Sequence, residues 1–313
     1  MFARVIGQAR AKKILQRAVE KDHLSHAYLF AGPHGIGKTT MAKELAMVLN
    51  CETGEGCGEC SSCKRIGEGI YPDVKVIEPE GPTIKIDQIR LLCSFLAMSS
   101  YEGRYKVAII RQAEKMREEA ANSLLKTLEE PPADSLLILT AENQYALLPT
   151  ILSRVQKVDF QKLTQAEITS YLINRGLSKE EALGLTEYSG GSLGKAIEIK
   201  DSESMRELYG DASKVVNNLQ QLLPNEIIDI SAKIGKDRLQ TIRFLDILTD
   251  VIRTRSFNLK GNTKQDFGTV FGKEYAETQI AAILDYLEEL KLYIEGYGNA
   301  QLALEGLFIR LRR

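Results

Sequence analysis

Ala27-Tyr28-Leu29-Phe30-Ala31-Gly32-Pro33-His34-Gly35-Ile36-Gly37-Lys38-Thr39-Thr40 is the stretch that decides how this chain is read. Ala27–Phe30 is an unbroken apolar run and predicts a buried strand. Gly32 to Thr39 follows as G-x-x-x-x-G-K-T, and Thr39–Leu49 has the pattern of a helix opening directly on that loop. Glycines at Gly32, Gly35 and Gly37 let the backbone curl so that successive N–H groups converge on a phosphate, and a helix N-terminus adds partial positive charge. Lys38 is placed to bridge β- and γ-phosphates, and Thr39, or a water it holds, to ligate Mg²⁺. A glycine-rich turn matching by chance is the alternative; strand, loop and helix in this order weigh against it.

Outward from the loop, three more short apolar runs recur at Val74–Ile77, Val107–Ile110 and Leu136–Leu139, with helical patterns such as Glu114–Leu128 between them. That alternation predicts an α/β domain over residues 1–162, a parallel sheet with helices on both faces. Residues 163–204 carry short helical patterns broken at Gly190-Gly191 and predict a small helical domain. Seven of the 8 prolines lie at or before Pro149 and none follows Pro224. Proline removes a donor and clashes with the preceding turn, so the remainder is free to run as long helices. In Leu239–Ile252 and Ala276–Ile294, apolar residues recur at three- and four-residue steps, and residues 205–313 are expected to form an all-α domain.

Lys plus Arg number 41 against 42 for Asp plus Glu, a formal charge of -1. This balance excludes a surface given over entirely to polyanion binding, so any contact with nucleic acid is local or made with partners. No apolar run approaches the roughly 18 residues of a membrane span, and Met1-Phe2-Ala3-Arg4 reaches charge too early for a signal-peptide core. A cytoplasmic protein is expected.

Of 5 cysteines, Cys51, Cys57, Cys60 and Cys63 fall in C-x5-C-x2-C-x2-C. Four thiolates on a short loop suit tetrahedral Zn²⁺ and leave no open position, so the site is expected to be structural; redox chemistry or coincidence is the alternative. Cys93, in an apolar stretch, reads as a core residue.

Hydrolysis needs an acidic residue at the end of a strand beside the loop. The strand ending at Ile110 is followed by Arg111-Gln112, neither a carboxylate. Glu114 lies three residues on, and the reading favours a site without its carboxylate. Arg154, after Pro149-Thr150-Ile151-Leu152-Ser153, reads by itself as a surface salt-bridge residue; a finger reaching a neighbour's nucleotide is the sharper alternative.

The run His26-Ala27-Tyr28-Leu29-Phe30, the block Asn122-Ser123-Leu124-Leu125-Lys126-Thr127-Leu128-Glu129-Glu130-Pro131-Pro132, the cysteine cluster and Ser153-Arg154 together resemble the AAA+ clamp-loader subunits of bacterial DNA polymerase III. The resemblance covers residues 1 to about 200 in motif order. It implies an AAA+ domain, a helical lid and a helical collar. It also implies a hetero-pentamer with motor and delta-type subunits that places a sliding clamp on primed DNA. Motor subunits carry an acidic pair where this chain has Arg111-Gln112. They also carry an arginine in the turn that here reads Gly191-Ser192-Leu193-Gly194. With both elements missing and Arg154 kept, the chain resembles the delta-prime, or stator, class.

By that resemblance, Arg154 is an arginine finger acting in trans. Val5 and Ile6 lie by an adenine, Gly32, Gly35, Gly37, Lys38, Thr39 and Thr40 hold ATP or ADP with Mg²⁺, and Thr140 stands at the sensor 1 position. Ser153-Arg154-Val155 departs from the family's Ser-Arg-Cys, and the first two cysteines are closer together than usual. Two other readings stay open: an active motor ATPase of the same loader, and an autonomous zinc-dependent DNA-binding protein.

Overall fold

The computed structural model describes residues 1–257 and 277–312. By internal contacts the chain forms two compact units, Met1–Leu183 with Gly191–Lys195, and Gly184–Gly190 with Ala196 onward.

The first unit is built on five strands: β1 (Ala27–Ala31), β2 (Val74–Ile77), β3 (Lys106–Ile110), β4 (Ser135–Ala141) and β5 (Gln156–Asp159). They form one sheet in the order β2-β3-β4-β1-β5, every neighbouring pair parallel. β1 and β3 are buried along their whole length, which is why they read as continuous apolar runs rather than alternating ones. The two-residue period of the strands divides the core. Tyr28, Phe30, Val107, Ile109 and Ile138 face one cluster; Leu29, Ala108, Ile110, Leu137 and Leu139 face the other.

Helices α1 (Ala9–Glu20) and α2 (Lys38–Asn50) cover the first face, through Leu15, Met41 and Leu45. After α3 (Ser61–Glu68), α4 (Ile86–Ala97) and α5 (Glu118–Glu129) cover the second through Ile89, Leu92, Leu124 and Leu128. α6 (Pro149–Leu152), α7 (Gln165–Asn174), α8 (Lys179–Ser189) and α9 (Leu193–Asp201) follow, with the break expected at Gly190-Gly191 between the last two.

One helix boundary differs from the sequence reading. Residues 113–115 form a 3₁₀ turn, Met116 and Arg117 are extended, and α5 starts only at Glu118. Left-handed Gln112, at φ 50°, reverses the chain after β3, and the Lys115 carbonyl accepts from Ile84 N–H at 2.9 Å instead of propagating a helix.

The approach to β3 is held by Asp73, whose carboxylate is fully buried. It accepts from the N–H groups of Tyr101, Glu102 and Gly103 at 2.7, 2.9 and 2.8 Å and from Lys106 Nζ at 3.2 Å. Burial opposes its charge, but these donors outweigh that and hold its carboxyl below the usual range.

The second unit is helical: α10 (Glu203–Asn218), α11 (Pro224–Ile234), α12 (Arg238–Phe257), α13 (Glu277–Glu295) and α14 (Ala300–Arg312). Its core gathers Leu208, Leu248, Leu287, Leu304 and an edge-to-face pair, Phe244 and Phe308, at 6.3 Å. The apolar residues that predicted the helix from Leu239 to Ile252 line this core. Of the run Ala276–Ile294, Ala276 lies outside the described residues. No helix among the described residues is long and apolar enough to cross a membrane.

Candidate functional site

The glycine loop leaves the C-terminal end of β1, and Gly32 N–H donates to the carbonyl of Ala141 at the end of β4, 3.1 Å away. Gly35 and Gly37 have φ of 69° and 99°, where a side chain would be strained, so the curl of the loop depends on them. Lys38 begins α2 and is 8% exposed; its Nζ donates to the carbonyls of Gly32 and Pro33, each at 2.5 Å. Burial pulls its ammonium below the ordinary lysine value, against the opposing pull of the Glu142 and Glu114 carboxylates. Thr39 is half-buried and Thr40 exposed.

The N-terminal segment lies against this loop. Val5 is buried, and a Cβ built on Gly37 would sit 3.7 Å from its side chain. Ile6 is half-buried beside it. Gln8, at φ 53°, stitches the segment down: its Nε2 donates to the carbonyls of Ile36 and Gln161 at 3.2 and 2.7 Å, and its Oε1 accepts from Gln161 N–H at 3.1 Å. No spacing rule along the chain points to Gln8, because its partner lies 153 residues away.

At the end of β3, Arg111 pairs with Glu78 at 2.5 Å. Together with Thr39, Lys43, Tyr71 and the β2 side chains, the pair lines a cavity of about 240 Å³. Beyond the turn at Gln112, Glu114 has other partners than this cavity. Its Oε1 accepts from Glu142 N–H at 3.1 Å, and its Oε2 is buried with no hydrogen-bond partner among the described residues. Together with Glu142, it puts negative charge by Lys38. Thr140 is buried, its hydroxyl accepting from Gln112 N–H at 3.3 Å, so it braces the turn after β3.

The Gly191–Gly194 turn meets the loop directly. Gly194 N–H donates to the Gly35 carbonyl at 2.7 Å, and Ser192 Oγ accepts from Lys195 N–H at 3.2 Å to start α9. Arg154, just after α6, is partly exposed. Its guanidinium donates to Glu129 at 2.7 Å, to the Thr150 carbonyl at 3.0 Å and to Ser153 Oγ at 3.2 Å. The surface salt bridge read from the sequence is therefore present, and it holds the guanidinium against Glu129 and the end of α6.

Cys51 follows α2, Cys60 caps α3 and Cys63 lies within it, buried. All four sulfur atoms of the cluster lie within 4.8 Å of one another. Cys51 Sγ is 3.6 Å from Cys57 Sγ and 4.0 Å from Cys60 Sγ. Zn–S bonds of ~2.3 Å at tetrahedral angles need S···S separations of roughly 3.8 Å, so these residues fit zinc. Burial resists ionisation of Cys51, but hydrogen bonds from Thr53 and the Cys57 N–H bring its thiol down to about 5. Burial and the neighbouring thiols push Cys63 up. Cys93, on α4, is half-buried and packs against the core on that face of the sheet.

Sheet order, glycine loop and the glycine turn seated on it define a P-loop protein of the AAA+ class. Within that class, residues 7–164 match the family described as DNA polymerase III, delta subunit, and the chain belongs to it. It is 38% identical over 216 residues to the delta' subunit of DNA polymerase III from Bacillus subtilis, covering 68% of this chain and 65% of that one. With the delta' subunit of Pseudomonas aeruginosa it shares 38% over 212 residues, 65% of this chain and 63% of that one. With the tau subunit of Bacillus subtilis it shares 39% over 170 residues, 53% of this chain and 30% of that one. The chain thus spans somewhat under two thirds of these delta' relatives. A crystal structure of a DNA polymerase III gamma subunit-related protein from Thermotoga maritima has the same fold, with a TM-score of 0.53 at 21% identity over 96% of this chain and 98% of that one.

Proposed function

We propose that this chain is a delta-prime-type stator of a DNA polymerase III clamp loader, working in the cytoplasm. It assembles with motor and delta-type subunits in a hetero-pentamer that loads a sliding clamp onto primed DNA, and it does not hydrolyse ATP itself. The observation that carries this reading is the Arg111–Glu78 ion pair at the end of β3, where a hydrolysing site needs a free carboxylate. Gly194 against Gly35 supports it, since that turn brings no cation to a bound nucleotide. Arg154, fixed by Glu129, is the finger offered to the neighbouring subunit. Val5, Ile6 and residues 32–40 hold ATP or ADP, Cys51, Cys57, Cys60 and Cys63 hold structural Zn²⁺, and residues 1–162, 163–204 and 205–313 act as nucleotide domain, lid and collar.

The test is steady-state ATP hydrolysis by the purified chain, alone and mixed with a motor subunit, with Lys38→Ala as control. Silence alone with stimulation in the mixture is the expected result. Turnover by the isolated chain that vanishes in Lys38→Ala would instead make it a motor ATPase, a reading that the unpartnered Glu114 oxygen near Lys38 favours.

A further inference from the structure

We infer that a nucleotide at residues 32–40 is bound without a divalent cation, the Arg111 guanidinium standing where the metal would be. The inference rests on the reading that this loop takes nucleotide.

Mg²⁺ at a phosphate loop requires near-octahedral oxygen ligands, drawn from the loop's Ser or Thr, the phosphates, water and a strand-end carboxylate. Here the hydroxyl residue, Thr39, and the strand-end residue, Arg111, line one cavity. Lys43, one turn along α2 from Thr39, lines it as well, so two fixed cations share the space. Glu78 is the carboxylate on that wall, and it is neutralised by Arg111 at 2.5 Å. Glu114 is not among the residues lining that cavity: one oxygen accepts from Glu142 N–H, the other is buried without a partner among the described residues, and its charge acts on Lys38. A dication entering there meets Lys43 and an Arg111–Glu78 pair of no net charge, and no unpaired carboxylate lines the cavity to draw it in. The residues present do not fit the metal.

They do fit a phosphate. A guanidinium has five N–H donors in a planar fork, enough to keep Glu78 and still donate to phosphate oxygens. Arg111 is also well anchored, its backbone N–H donating to the Ile77 carbonyl at 2.8 Å and fixing the strand end against β2. Lys43 and the spare guanidinium donors thus supply from the chain part of what Mg²⁺ normally brings. They cannot activate water or be exchanged, which accords with binding without turnover.

The experiment is titration of the full chain with a fluorescent ADP or ATP analogue, with millimolar Mg²⁺ and in buffer stripped over chelating resin. Soluble chelator is left out so that the thiol cluster keeps its metal. Wild type is expected to bind within about twofold under both conditions. Arg111→Ala, checked for an unchanged melting curve, should weaken metal-free binding about 10- to 100-fold, the range for one charge-assisted hydrogen bond. Arg111→Asp, which sets a second carboxylate beside Glu78 and Thr39, should make binding depend on Mg²⁺. Wild-type affinity falling tenfold or more without Mg²⁺, or Arg111→Ala binding undiminished, overturns the inference while nucleotide binding stands. No binding under either condition overturns the nucleotide reading and this inference with it.

Discussion

Gly194 donates its backbone N–H to the carbonyl of Gly35 at 2.7 Å, so the turn that opens α9 rests directly on the phosphate loop. A Cβ built on Gly194 would lie 2.7 Å from the Gly35 Cα, closer than packed carbon atoms approach. The contact exists because neither residue has a side chain. Gly194→Ala is therefore expected to push the turn off the loop and destabilise the first unit by about 1–3 kcal/mol, the usual cost of overpacking. Urea unfolding measures this; an unchanged midpoint would mean that the turn moves aside freely.

The thiol cluster joins the end of α2 to the start of α3. Four thiols within 4.8 Å of one another can hold one metal ion, and on the zinc reading that ion becomes part of the folded state. A strong chelator should lower the melting temperature and release about one equivalent of Zn²⁺ per chain, followed with a colorimetric dye. Cys63→Ser, which alters the buried ligand, should both lower zinc content and melt earlier. Full stability of the zinc-free chain would leave the cluster without a structural purpose.

Asp73 and Lys106 form a buried pair at 3.2 Å, and Asp73→Asn leaves the lysine charge uncompensated. A loss of about 3–5 kcal/mol is expected at pH 7. Because the folded carboxyl lies below its ordinary value near ~3.9, its contribution is complete above that pH and is lost as pH falls through the folded value. The gap between wild type and variant should accordingly narrow below about pH 4. A gap independent of pH would assign the effect to shape rather than to charge.

Arg154 and Glu129 meet at 2.7 Å on the surface, where such pairs contribute ~0–1 kcal/mol. Arg154→Ala should leave the fold and assembly with motor subunits intact, yet slow DNA-stimulated hydrolysis by the complex at least about tenfold; fingers of GTPases reach roughly 10³–10⁵. Normal hydrolysis in a normally assembled complex removes Arg154 from the mechanism. Glu129→Gln tests the hold on the guanidinium, with a smaller loss expected.

Much of this was legible along the chain because it depends on neighbours in sequence. Strand, glycine loop and helix are consecutive, so Gly32–Thr39 announced itself through spacing alone. The cysteines are close enough to share one ion by local turns. The absence of proline beyond Pro224 and the three- and four-residue steps of Leu245, Leu248 and Ile252 gave the helical unit.

Other features came only from the folded chain, since they join residues that sequence separates. Parallel pairing sets β4 between β3 and β1, and so brings Ala141 and Glu142 to a loop a hundred residues upstream. The β2–β3 pairing brings Arg111 to Glu78, and after the left-handed turn at Gln112 the charge of Glu114 acts on Lys38, relationships that no periodicity encodes. Gln8 finds Gln161, and Gly194 finds Gly35, through close backbone approach, which depends on packing rather than pattern. The sequence by itself determined which groups can meet a phosphate or a metal, because short-range spacing fixes local geometry. Only the tertiary structure decided which charges face one another across the site, because the sheet order fixes those distances.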